Sequence, residues 1–239
     1  MTSPDLAHPR ARVHHASLEA LRRRPVVLGL VGLLVLAAAI VVGVALGTVS
    51  VPAAETVAIL AHRLGWPVEQ TWAASSETIV VTLRLPRVLT ALVVGLGLSV
   101  AGVTFQGLLR NPLADPYVLG TASGAALGAA IGVLLPIQLS WLGLGLTNIL
   151  AFFGALLAIS IVYRIAGGGG RSTMTSILLT GYAVGSMLAA GLSLAMYLSG
   201  AQLRQIFYYL LGSLNGSDWQ SLALGLPVVA VGTVLILAR

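Results

Sequence analysis

The sequence predicts an all-α protein, a polytopic transmembrane bundle of about six helices, and three observations carry that expectation. Of 239 residues, 57% are hydrophobic and only 8% charged, against about 25% charged in an ordinary soluble domain. The apolar residues gather into runs of roughly 20 or more, the length a helix needs to cross a hydrocarbon core. The arginines stand at the ends of those runs, and the mean hydropathy is +0.97. The same composition excludes several functions. All 13 basic residues are arginine, so no phosphate-binding Walker loop, which needs lysine, lies on this chain. No cysteine is present, so neither a disulfide framework nor a thiolate metal site forms. The net charge of +6 reflects arginines at span ends and implies no nucleic acid partner.

Residues 1–24 are polar and basic and read as a cytoplasmic tail, disordered or lying on the membrane. His8, His14 and His15 lack the carboxylate or thiol company of a metal site. Pro25–Leu46 is the first span, too long for the ~7–15-residue apolar core of a signal peptide. Residues 48–82 form an external loop with a short amphipathic helix near Glu55–Leu64, broken by Gly65-Trp66-Pro67; His62 reads as a solvated surface residue. Trp66 and Trp72 suit the membrane interface. Val88–Leu109 and Tyr117–Leu139 are the second and third spans, joined by the corner Arg110–Pro116. The fourth is Trp141–Tyr163. A flexible Gly167–Gly170 linker leads to the fifth, Ser172–Leu198, where Gly181, Gly185 and Ser186 allow close packing. An external segment Gln202–Ser217 precedes the sixth, Trp219–Ala238. The division is thus a tail, 1–24, and a transmembrane domain, 25–239.

With the N-terminus inside, Arg10, Arg12, Arg22, Arg23, Arg24, Arg110, Arg164, Arg171 and Arg239 are cytoplasmic. Arg63, Arg84, Arg87 and Arg204 are external. That asymmetry is what the positive-inside rule requires.

Three constellations stand out. Glycines 120, 124, 128 and 132 recur every four residues, on one helix face, where another backbone can approach. In the corner, Pro112 and Pro116 disfavour helix in the residues before them. Asn111 and Asp115 can satisfy the backbone groups so freed, and Arg110 is close enough to pair with Asp115. This corner is a structural turn or a transport gate. Gln106, a polar amide inside the second span, needs a partner there, either another helix or substrate.

The order Arg84-Leu85-Pro86-Arg87, Gly95, Gly102, Gln106, Asn111-Pro112-Leu113-Ala114, Pro116, Gly120 and Gly124-Ala125 resembles the membrane permease family of the ABC importers for iron chelates, haem and vitamin B12. The likeness is strongest from Arg84 to Gly132 and continues more weakly through Leu178–Gly181 and Phe207–Trp219. It implies an inner-membrane permease subunit of a bacterial cell that lines a translocation pathway and performs no covalent chemistry, with no cofactor or metal of its own. Two permease subunits, identical or different, would surround the path. Separate ATPase subunits would drive alternating access, and an external binding lipoprotein or periplasmic protein would deliver the cargo. A ferric siderophore is the first cargo implied, haem or cobalamin the next. The resemblance also implies packing roles for Gly95 and Gly102. Arg84 and Arg87 would dock acidic residues of the binding protein; the alternative is anchoring at lipid headgroups. Such permeases have about ten spans and a cytoplasmic Leu-Gly-Glu segment, so the six read here correspond to the first two-thirds.

Two other classes are weighed against this. Gly120-Thr121-Ala122-Ser123-Gly124 has the look of an intramembrane serine protease motif, but no histidine follows His62 to act as its base. A secondary transporter, or another membrane protein without an ATPase partner, is the remaining alternative. It would carry an ionisable residue within a span for ion coupling, and none lies within the six.

Overall fold

Inside a bilayer every backbone N–H and C=O must find its partner within the protein, so a chain this apolar folds as helices. The computed structural model describes residues 15–137, 140–141, 144–167 and 173–238. The expectations for residues 1–14, for most of the Gly167–Gly170 linker with Arg171, and for Arg239 fall outside these. Two compact units are formed, one up to Val80 and one from Val81.

In the first unit, helix α1 spans His15–Ala45 and helix α2 Ala53–Arg63, and the two touch. Helix α1 begins ahead of the expected span: Ala, Leu, Glu and Arg in residues 15–24 are good helix formers, and the helix carries through Pro25. Val26 to Leu36 present exposed apolar side chains, as a lipid-facing span should. Helix α2 buries Thr56 and Ile59. It ends where Gly65 takes φ 87° and Trp66 N–H reaches back to the Ala61 carbonyl at 3.1 Å, a glycine-capped terminus. Beyond it, Glu77 gathers three donors: Arg63 Nη2 at 2.6 Å, Trp72 Nε1 at 3.2 Å and Gln70 Nε2 at 3.3 Å. Trp72 is therefore buried and hydrogen-bonded within the protein, while Trp66 is exposed. His62 is exposed too, its Nδ1 3.1 Å from the Val68 carbonyl.

Helix α3 (Ala74–Thr78), a wide π-helical turn (Ile79–Arg84) and helix α4 (Leu85–Leu109) follow without a break. The helix therefore begins well before the expected Val88 and runs through Pro86. Proline lacks an N–H and clashes with the carbonyl four residues back; the π turn relieves the clash by shifting the register to five. The carbonyl that position 86 would then bind is that of Val81, and Trp219 Nε1 donates to it instead at 3.1 Å.

The third span is also shorter than expected. A 3-10 turn (Pro116–Leu119) meets helix α5 (Thr121–Leu134) at Gly120, which takes φ 72°. The α5 helix is about 21 Å long, and the turn adds about 8 Å, so together they approach the bilayer core thickness. A small antiparallel pair, Ser140–Trp141 with Leu144–Gly145, departs from the expected all-helical chain. Then come α6 (Leu146–Gly167), α7 (Met174–Leu198), the short α8 (Leu203–Leu210) and α9 (Trp219–Leu237). Among the described residues five helices are long and apolar enough to span a membrane; α5 is the shorter apolar one.

Contacts at the glycines give the helix directions. Gly124 lies against Gly154 and Ala158, Gly128 against Leu150 and Ala151, and Gly132 against Thr147; rising numbers on α5 meet falling ones on α6, so the two are antiparallel. Leu119 meets Gly181, Gly120 meets Gly185 and Leu127 meets Gly191, so α5 runs parallel to α7. Val81 meets Trp219 and Gly97 meets Val229, so α4 runs parallel to α9. This is the alternation that consecutive traverses require. The apolar core, Leu119, Val162 and Val184 with Phe105, Ile159 and Leu188, sits where α5, α6 and α7 converge.

Candidate functional site

Two places gather the residues singled out by sequence. The first is the corner and broken third span. Helix α4 ends with Arg110 at φ 47°, its N–H bonded to the Gly107 carbonyl at 3.3 Å and the Asn111 N–H to the Gln106 carbonyl at 3.1 Å. This is the terminus that Gly65 makes for α2, but with a side chain where glycine is normal. Asn111 Oδ1 then accepts from Leu113 N–H at 2.9 Å, and Asp115 Oδ1 from Tyr117 N–H at 2.9 Å. Each polar side chain accepts from the N–H just past its neighbouring proline, satisfying a donor that the turn would otherwise leave open. The expected Arg110–Asp115 ion pair is absent among the described residues; Asp115 instead caps the 3-10 turn. Gln106 is exposed along its side chain. Left-handed backbone costs a non-glycine residue roughly 1–2 kcal/mol, so Arg110→Gly is expected to stabilise the protein by about 1 kcal/mol. Thermal unfolding in detergent checks this, and destabilisation would show that the arginine side chain makes up for its strain.

From Gly120 the seam is very close. An added Cβ on Gly124 would lie 2.8 Å from Ala158 Cβ, one on Gly128 2.8 Å from the Leu150 carbonyl carbon, and one on Gly132 2.7 Å from Thr147 Cα. Gly95 and Gly102 do not take part: a Cβ on either meets nothing within 4 Å. Among the described residues neither meets another helix. The face of α4 that meets α9 carries Gly97, where an added Cβ would be 3.4 Å from Val229, and two residues along a helix turn about 200°.

The second place is at the other end of α4. Arg84 is buried and Arg87 half-buried, so Arg84 does not stand out from the chain as an exposed docking group would. Arg87 Nη2 donates to the Asn215 carbonyl at 3.3 Å, and its Nε is buried without a hydrogen-bond partner among the described residues. Asn215 belongs to a short segment between α8 and α9, set by Gly212 at φ 75°, by Asn215 N–H to Ser213 Oγ at 3.1 Å, and by Asp218, whose Oδ1 caps α9 through Ser221 N–H at 2.8 Å. Bonding to Ser221 holds the Asp218 carboxyl below its ordinary value. The sequence marks this stretch as an external segment but gives no sign of its contact with α4, which only the fold-back reveals.

Beside the segment lies a cavity of about 510 Å³, lined by Asn148, Gln205, Tyr208, Tyr209, Gly212 and Ser213. Tyr209 Oη donates to Asn148 Oδ1 at 2.9 Å, and partial burial pushes its phenol above the ordinary value. The lining is uncharged and offers aromatic faces, amides and a hydroxyl. Such a wall can hold a bulky polar guest without drawing in free ions. Among the described residues no cluster of His, Asp and Glu could hold a metal.

The FecCD transport family matches residues 33–239. The chain is 39% identical over 164 residues to the cobalamin import system permease BtuC of Halobacterium salinarum, covering 69% of this chain and 43% of that one. It is 33% identical to the ABC transporter permease YvrB of Bacillus subtilis, covering 87% and 59%, and 35% identical to the hemin transport permease HmuU of Yersinia pestis, covering 64% and 46%. A solved inward-facing metal-chelate type ABC transporter superposes with a TM-score of 0.68 at 27% identity, covering 90% of this chain and 62% of that one. The chain therefore spans roughly half the length of the relatives it matches.

Proposed function

The chain belongs to the FecCD transport family, and from that premise we propose that it is part of the permease subunit of an ABC importer, lining the path of a metal chelate, haem or cobalamin. The match over residues 33–239 is the observation that carries this reading. The geometry adds support: alternating helix directions, and a third traverse whose irregular backbone at Gly120 is covered by α7, as backbone at membrane depth must be. The relatives' names include cobalamin and hemin import, which favours a large organic chelate over a bare ion. A ferric siderophore is the first cargo to test, and the uncharged, aromatic-lined cavity at α8 suits any of the three.

In this reading the N-terminus is cytoplasmic in a bacterial plasma membrane, because that orientation places nine of thirteen arginines inside. The Arg87 end of α4 then faces outward and receives an acidic surface of the binding protein. Arg84, being buried, supports the helix behind it. ATPase subunits and a second permease subunit complete the assembly. The test is uptake into proteoliposomes by the full-length subunit, reconstituted with its ATPase and binding protein and offered cobalamin, haem or a ferric siderophore. ATP-dependent accumulation of one of them is expected. Accumulation driven by an ion gradient without ATP, or of none of the three, would overturn the reading.

A further inference from the structure

The guanidinium of Arg87 is held in a half-satisfied state. Nε and Nη2 project their N–H bonds from one edge of the group, the edge that binds a carboxylate through two parallel hydrogen bonds. Here that edge meets a single acceptor. Nη2 donates to the Asn215 carbonyl at 3.3 Å, which is long for such a bond, while Nε is buried without a hydrogen-bond partner among the described residues. A buried donor left unmade is costly, and one backbone carbonyl cannot serve both donors well. A carboxylate can, and its charge makes both bonds stronger.

The carbonyl that occupies the edge is not an inert neighbour. Asn215 sits in the exposed segment Gly212–Ser217, whose ends are fixed by the left-handed Gly212 and the Asp218 cap of α9. Asn215 N–H is bonded to Ser213 Oγ, and Gly212 and Ser213 form part of the wall of the 510 Å³ cavity. Whatever pulls Asn215 from Arg87 therefore acts on that wall two residues away.

We propose that an acidic side chain of the docking protein displaces the Asn215 carbonyl from Arg87, and that this exchange frees the Gly212–Ser217 segment and loosens the cavity wall beside it. Docking and opening of the outer cavity are then one event: the carboxylate gains the whole arginine edge only when the segment withdraws. This rests on the docking role given to Arg87 above. A protein lacking a suitably placed carboxylate could touch the same surface and leave the cavity wall in place.

The chain has no cysteine, so Gly216→Cys provides a single labelling site, and a side chain there meets nothing within 4 Å. The full-length subunit carrying a nitroxide at that position is placed in phosphatidylcholine nanodiscs. It is titrated with a fluorescent synthetic peptide of alternating Glu and Gly, or with the same peptide bearing Gln. The Glu peptide is expected to bind and to speed the label's motion several-fold, and the Gln peptide to do neither. Arg87→Gln should free the label without any peptide; Arg87→Lys, which can still reach the carbonyl but has no two-donor edge, should keep it held and blunt the response. Glu-peptide binding that depends on Arg87 while the label stays slow would overturn the exchange and leave the docking role standing. Glu-peptide binding that is absent, or unchanged in Arg87→Gln, would overturn the docking role and the exchange with it.

Discussion

Leucine at Gly128 is expected to destabilise the bundle by about 3 kcal/mol or more, beyond the ordinary cost of overpacking. An added Cβ there overlaps the Leu150 carbonyl group and lies 3.2 Å from Ala151 Cα. These are backbone atoms, so no rotamer change relieves the overlap and α6 as a whole must move away from α5. The same holds for Gly124→Leu against Gly154 and Ala158. Without water inside the membrane to drive helices together, close van der Waals packing is a main source of their association, and separating the helices forfeits it along the whole seam. Leu127→Ala, by contrast, removes a half-buried side chain that touches α7 at Gly191; about 1 kcal/mol is expected, below the range for fully buried leucines. Unfolding of the three variants in detergent measures the difference. Equal tolerance would show that α5 and α6 do not pack through this face.

The seam was legible because spacing alone defines a helix face: Gly124, Gly128 and Gly132 all meet α6, whereas Gly120, left-handed and ahead of α5, turns to α7 instead. Gly95 and Gly102 could not be placed in this way. Isolated glycines carry no phase, and only the contact between α4 and α9 shows that Gly97 is the one used. Span positions were legible from hydropathy, but their lengths were not. Composition cannot tell that Gly120 takes a left-handed conformation and divides the third traverse, nor that a π turn carries the second through Pro86. Both depend on partners far along the chain, α7 for Gly120 and Trp219 for the freed Val81 carbonyl. Arg84 and Arg87 looked equivalent in sequence. Arg84 closes the π turn and Arg87 lies in the first turn of α4, and here one is buried while the other reaches Asn215.

That difference decides how docking is tested. Reversing both arginines would place a carboxylate at the buried position 84, where an unpaired charge is expensive, and a misfolded subunit would mimic lost docking. Arg87→Glu alone is the cleaner experiment, with Arg87→Gln beside it, since both lose the bond to Asn215 and only the first reverses the charge. If an acidic protein approaches this end of α4, rim charges govern mainly how fast and in what orientation it arrives, screened over about 8 Å at physiological salt. Association of the binding protein with the full-length subunit is therefore expected to slow about tenfold in Arg87→Glu relative to Arg87→Gln, with the gap closing as salt rises. Membrane insertion and thermal stability should match between the two. Charge reversal of the facing acidic residue on the binding protein should restore much of the rate. Equal association rates for the two variants at low salt would return Arg87 to a structural role, holding the segment before α9 against α4.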